Sequence, residues 1–130
     1  MQHARKRRQG RALATDPGAL PTGTGGVALD GIYYLTGFTA YAGSVLRPGL
    51  VLRQTLSLCG SIGDLVNDEA GETKRKTLTF KPSGVAPNLT QTCASKAGDA
   101  EIPYSSYTAN ATTLTFYSTA STFSATYTKQ

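Results

Sequence analysis

From Asp30 to Lys129, short runs rich in Thr, Tyr and Leu repeat with an apolar residue at every second position, and Gly, Pro, Asn and Asp interrupt them. Period two is the geometry of a half-buried strand, because successive side chains point to opposite faces. The last two runs are the clearest, TLTFY at 113–117 and TFSATY at 122–127. Runs of this length and spacing, separated by turn residues, predict an all-β domain built from hairpins.

The spacing predicts about eight strands, at 31–41, 50–58, 61–66, 73–81, 87–93, 103–108, 112–118 and 122–128. Pro48-Gly49 leads into the second, and residues 67–71 (NDEAG) form a polar hairpin tip. Pro82-Ser83-Gly84 and Ala86-Pro87-Asn88 bracket another turn, and Ala109-Asn110-Ala111 links the sixth strand to the seventh. Links this short make antiparallel neighbours in an up-and-down meander. The one long connection, 95–102, has room for a helical turn.

Faces follow from the same alternation. In the second strand Leu50, Leu52, Leu56 and Leu58 share a face, with Gln54 the exception among them. In the fourth, Leu78 and Phe80 are assigned inward and Lys76 and Thr79 outward. Leu114 and Phe116 oppose Thr113, Thr115 and Tyr117; Phe123, Ala125 and Tyr127 oppose Ser124, Thr126 and Thr128. One apolar and one hydroxyl-rich face suit a sheet closed around a single core. Eight strands can close a barrel wide enough for side chains or one small ligand, and strands this short favour a packed interior.

The 130 residues suit one domain, and 39% hydrophobic content without Trp leaves it a thin stability margin. No apolar run approaches the roughly 18 residues of a membrane helix. The net charge of +5 is concentrated at the start, in Arg5, Lys6, Arg7, Arg8 and Arg11. The other eight basic residues balance all eight acids, so the remainder is formally neutral. Specific nucleic-acid binding would call for basic residues spread over a folded face, with stacking aromatics. Residues 1–27 therefore read as a disordered basic tail and Gly/Pro linker, and 28–130 as the β domain.

Chemistry is sparse. The sole histidine, His3, lies in the tail, which removes most nucleophile–base and metal arrangements. Asp64, Asp68, Glu69 and Glu72 gather at one hairpin without the spacing of a calcium loop. No glycine-rich phosphate loop joins a strand to a helix. The expectation is a protein without catalytic residues, metal or cofactor. Cys59 and Cys93 stand near strand ends, and an even count in a small β domain suggests a disulfide and an oxidising compartment. Two unconnected thiols are the other reading, since their parities differ and a bridge would need a bulge at Gly60.

The run Leu29-Asp30-Gly31-Ile32-Tyr33-Tyr34-Leu35-Thr36 resembles the opening strand of bacterial lipocalin-like domains. That strand carries Gly-x-Trp after a Leu, then a Leu and a small hydroxyl residue; here Tyr33 holds the aromatic position. The runs at 54–56, 76–80, 113–116 and 123–129 resemble that family's successive strands. The resemblance implies a calycin-type barrel of the cell envelope, periplasmic or extracellular, that binds a small apolar molecule. The signal peptide and lipobox Cys of that pattern are not visible in this sequence. Candidate lumen residues are Tyr33, Leu35, Leu52, Leu56, Leu78, Phe80, Leu114, Phe116 and Phe123. The alternative is a β-sandwich interaction module that binds protein or glycan through its Thr/Tyr-rich face. Strand order separates the two, since a barrel pairs the first strand with the last and a sandwich needs crossovers.

Overall fold

Alternation becomes a single curled sheet. The computed structural model describes residues 11–44, 51–69, 72–94 and 104–130. The basic run at 5–8, the Pro48-Gly49 turn and the connection at 95–102 lie outside them. The strands are β1 (Arg11–Ala12), β2 (Ala14–Thr15), β3 (Gly31–Ala40), β4 (Val51–Cys59), β5 (Ile62–Glu69), β6 (Glu72–Phe80), β7 (Leu89–Ala94), β8 (Ser106–Ala109), β9 (Thr113–Ser118) and β10 (Phe123–Lys129). Among the described residues no helix is long and apolar enough to cross a membrane.

The main sheet runs β7-β6-β5-β4-β3-β10-β9-β8. Each neighbouring pair is antiparallel. All steps join sequence neighbours except β3–β10, which pairs the first long strand with the last, as a barrel requires and a sandwich with crossovers does not. The sheet is a curled half-barrel, with β7 and β8 at its two ends. Among the described residues no ladder joins those ends.

The concave face carries the core. Tyr33, Leu35 and Phe38 come from β3, Leu56 and Leu58 from β4, and Phe80 from β6. Tyr107, Leu114, Phe116, Phe123, Ala125 and Tyr127 come from β8, β9 and β10. The β3–β10 register shifts between Thr126 and Tyr127, so Gly37 pairs with Thr126 and Leu35 with Tyr127. This bulge turns the strand in mid-course and lets Leu35 and Phe38, of opposite parity, both face inward.

Residues 11–27, expected to be disordered, are built into the fold. β1 pairs with β4, and β2 runs parallel to β3. Further on, Gly25 occupies the outer edge of β8: its N–H donates to Tyr107 O at 2.7 Å, and its carbonyl accepts from Ala109 N–H at 2.9 Å. Tyr107 N–H donates to Val85 O at 2.9 Å, and the Tyr107 hydroxyl donates to Gly26 O at 2.6 Å. The expectation of disorder weighed apolar burial, and this segment has little to bury. What holds it is backbone pairing along an edge that would otherwise present unpaired groups. Glycine makes the approach possible, since a Cβ at Gly23 would lie 2.3 Å from Tyr107 O.

Replacing Gly23 by Ala should therefore displace the segment. The expected loss is about 1–3 kcal/mol in urea denaturation. Gly37→Ala is the control: nothing lies within 4 Å of its Cβ position, and its cost should stay under about 0.5 kcal/mol.

Candidate binding cavity

A glycine opens the interior. Leu58, Gly63 and Leu78 form one row across β4, β5 and β6, and the missing side chain at Gly63 leaves space between the two leucines. The next row, Leu56, Leu65 and Lys76, continues the same face. With Phe80, Leu89 and Gln91 from β6 and β7, and Tyr104, Phe116 and Tyr127 from across the half-barrel, these residues line a cavity of about 50 Å³. Gln54 completes the lining.

The size sets what can enter. A closed apolar cavity of about 150 Å³ takes a benzene ring, and drug-sized ligands need about 300–1,000 Å³. Fifty Å³ accommodates the end of an apolar chain. Leu65, Leu78 and Leu89 are only half-buried, so the space opens to solvent on the β5–β7 side. The rest of a longer molecule would lie along that opening.

One end of the cavity is polar. The Tyr127 hydroxyl donates to Gln54 Oε1 at 2.5 Å, and the Tyr104 phenol lies near enough to influence it electrostatically. Burial pushes both phenols well above the usual tyrosine range, and Tyr104 raises Tyr127 further. Both are neutral over the physiological range and act as hydrogen-bonding groups. Gln54 pairs in register with Asn67, and Asn67 with Lys74, which extends the polar row along the same face. Asn67 Oδ1 is buried with no partner, a state that costs about 1–3 kcal/mol. Two acids of β5 point the other way: Thr77 donates to Asp64 at 2.9 Å and Thr73 to Asp68 at 2.6 Å, both on the exposed face.

Of the nine candidate lumen residues, Leu56, Leu78, Phe80 and Phe116 line the cavity. Tyr33, Leu35, Leu114 and Phe123 are core residues buried elsewhere, and Leu52 packs against the core. Lys76 was assigned outward and faces inward, since residues 76, 78 and 80 share parity on β6 and no bulge in the β5–β6 pair intervenes. Gln91, Leu65, Leu89 and Tyr104 were missed. Gln54, an amide at an inward parity in a leucine strand, was the one visible signal.

The disulfide is corrected. Cys59 is an exposed free thiol. Its register partner is Ile62 on β5, whereas Cys93 pairs with Thr77 on β6. Two strands separate β4 from β7, which at about 4.8 Å per strand puts the two backbones about 14 Å apart. A disulfide spans no more than about 7 Å between Cα atoms.

Comparison with known proteins finds no matching family model, no matching curated protein and no matching solved structure.

Two outcomes follow from this geometry. Cys59 should react with a thiol reagent in the native state, and the melting temperature should be unchanged by reductant; a drop on reduction would restore the disulfide. The phenols give a pH signature. Tyr33, Tyr104 and Tyr127 all have pKa values raised in the folded state, with burial as the first cause. Below about pH 10 they are protonated in both states; above it the unfolded chain loses protons that the folded one keeps. The contribution of these phenols should be constant below about pH 10 and stability should fall above it, with a shallower fall in Tyr104→Phe/Tyr127→Phe.

Proposed function

We propose that this chain is a non-enzymatic binding protein of the cell envelope that takes the apolar end of a small molecule into its half-barrel. The observation that carries the reading is the cavity beside Gly63, apolar over most of its wall and open on one side. A packed core has no need of such a space, since voids forfeit dispersion contacts and weaken a small domain. The amides and phenols at one end give a bound molecule an orientation, a common arrangement in small-molecule sites. Resemblance of the opening strand to lipocalin-like domains supports the same reading.

The outer Thr/Tyr-rich face supports binding less well. Thr36 and Thr128 hydroxyls are 2.8 Å apart, and those of Thr115 and Thr126 are 3.1 Å apart. They satisfy one another along the sheet, as cross-strand threonine pairs do, and so have less to offer a partner.

Titration of the labelled protein with 1-octanol, followed by amide NMR, tests the proposal. Saturable shifts should centre on Leu56, Gly63, Leu65, Leu78 and Leu89. Gly63→Leu, which fills the space, should weaken binding at least tenfold while the spectrum stays folded. Shifts confined to Thr36, Thr126 and Thr128, or no saturation at all, would refute a lumen site.

A further inference from the structure

Hydrogen bonding at the polar end of the cavity selects between ligand head groups. Gln54 lies one inward position before Leu56 on β4 and lines the space. Its Oε1 accepts from the Tyr127 hydroxyl at 2.5 Å. A carboxamide held by its oxygen keeps two N–H donors on the other arm of the group. Among the described residues no group accepts from Gln54 Nε2. The side chain is half-buried and Nε2 is accessible, so its donors face open space. Gln54, Tyr104 and Tyr127 carry no charge, since burial holds both phenols in the neutral form. The cation of the wall, Lys76, stands two strands away on β6 and has an interaction of its own. An ionised head group beside Gln54 would shed water without a matching countercharge, a large cost that an uncharged acceptor avoids.

We propose that the ligand is an uncharged aliphatic carbonyl compound, a ketone, ester or amide, whose C=O oxygen accepts from Gln54 Nε2–H. This rests on the cavity being a binding site, and it adds the head group and the length. Gln54 pairs with Asn67 and Leu58 with Gly63, so four residues of β5 separate the polar end from the space beside Gly63. At about 3.3 Å per residue that is about 13 Å. An extended chain advances about 1.2 Å per bond, so a molecule joining the two ends has on the order of ten chain atoms. Its middle lies over Leu56 and Leu65, the row between. Tyr127 is a positioning residue, because its bond to Oε1 sets which arm of the amide meets the ligand.

Three probes of equal chain length decide the matter: 2-decanone, decanoate and decylamine, each titrated into the labelled natural chain at neutral pH and followed by NMR. 2-Decanone should move the Gln54 side-chain N–H2 signals together with the backbone signals of Gly63 and Leu65. It should bind at least about tenfold tighter than either charged probe. Gln54→Glu keeps an acceptor for Tyr127 and removes the amide donors; with its amide spectrum still folded, it should bind 2-decanone about tenfold more weakly. Shifts at Gly63 with the Gln54 N–H2 signals unmoved would overturn the carbonyl assignment and leave the cavity reading standing, and that result needs no variant. Decanoate or decylamine binding as tightly as the ketone would overturn the uncharged head group in the same way. Absence of saturable binding by all three would overturn both.

Discussion

Phe116 holds the two arms of this molecule together. The β4–β7 arm and the β8–β10 arm meet by hydrogen bonding through β3, the pairing of Tyr107 with Val85, the added segment at Gly25 and the Tyr127–Gln54 hydrogen bond. Across the interior, the rings do the joining. Phe80 of β6 lies edge-on to Tyr107 at 5.4 Å and to Phe116 at 6.2 Å. Phe116 also stacks on Tyr104 at 4.9 Å and meets Tyr127 at 6.1 Å. Each such pair adds about 0.5–1.5 kcal/mol to what area burial provides. Four of these five rings, Phe80, Tyr104, Phe116 and Tyr127, line the cavity, and Tyr107 packs against Phe80. Curling of the sheet and shaping of the site are thus one packing problem.

Charge is sorted across the β5–β6 hairpin. Asp64 and Asp68 stand outside, where Thr77 and Thr73 donate to them. Lys76 stands inside, at the edge of the apolar wall. An inward lysine in a domain of this size is tolerated because its long apolar stem packs on the wall, whereas a buried carboxylate has no comparable stem.

Period two was enough to read the architecture. The run at 31–41 became Gly31–Ala40, and that at 112–118 became Thr113–Ser118. Tyr33, Leu35, Leu114 and Phe116 lie buried where alternation placed them. The site was less legible, for two physical reasons. A cavity is a property of what is absent, and Gly63 reads in sequence as a weak strand residue until its register with Leu58 and Leu78 is known. Residues with a polar end are also assigned outward by habit, which placed Lys76 on the wrong face and passed over Gln91 and Tyr104. The N-terminal segment escaped for a third reason. Glycines that pair through their backbone leave no apolar signal, and only the three-dimensional edge of β8 shows that a partner is needed.

Openness and binding are linked in this design. A fully closed barrel pairs all its edges and needs no ligand to complete them. Here, among the described residues, no ladder joins β7 to β8, and the cavity is lined from both arms, by Leu89 and Gln91 on one side and Tyr104 and Phe116 on the other. By this proposal, a molecule seated there contacts both arms. On the proposed reading, ligand does for this face what Gly25 does for the outer edge of β8: it provides the contacts that the strands leave unmade. Binding of that kind favours the folded state by mass action, and in a domain with a thin hydrophobic margin its effect on stability is large relative to the total.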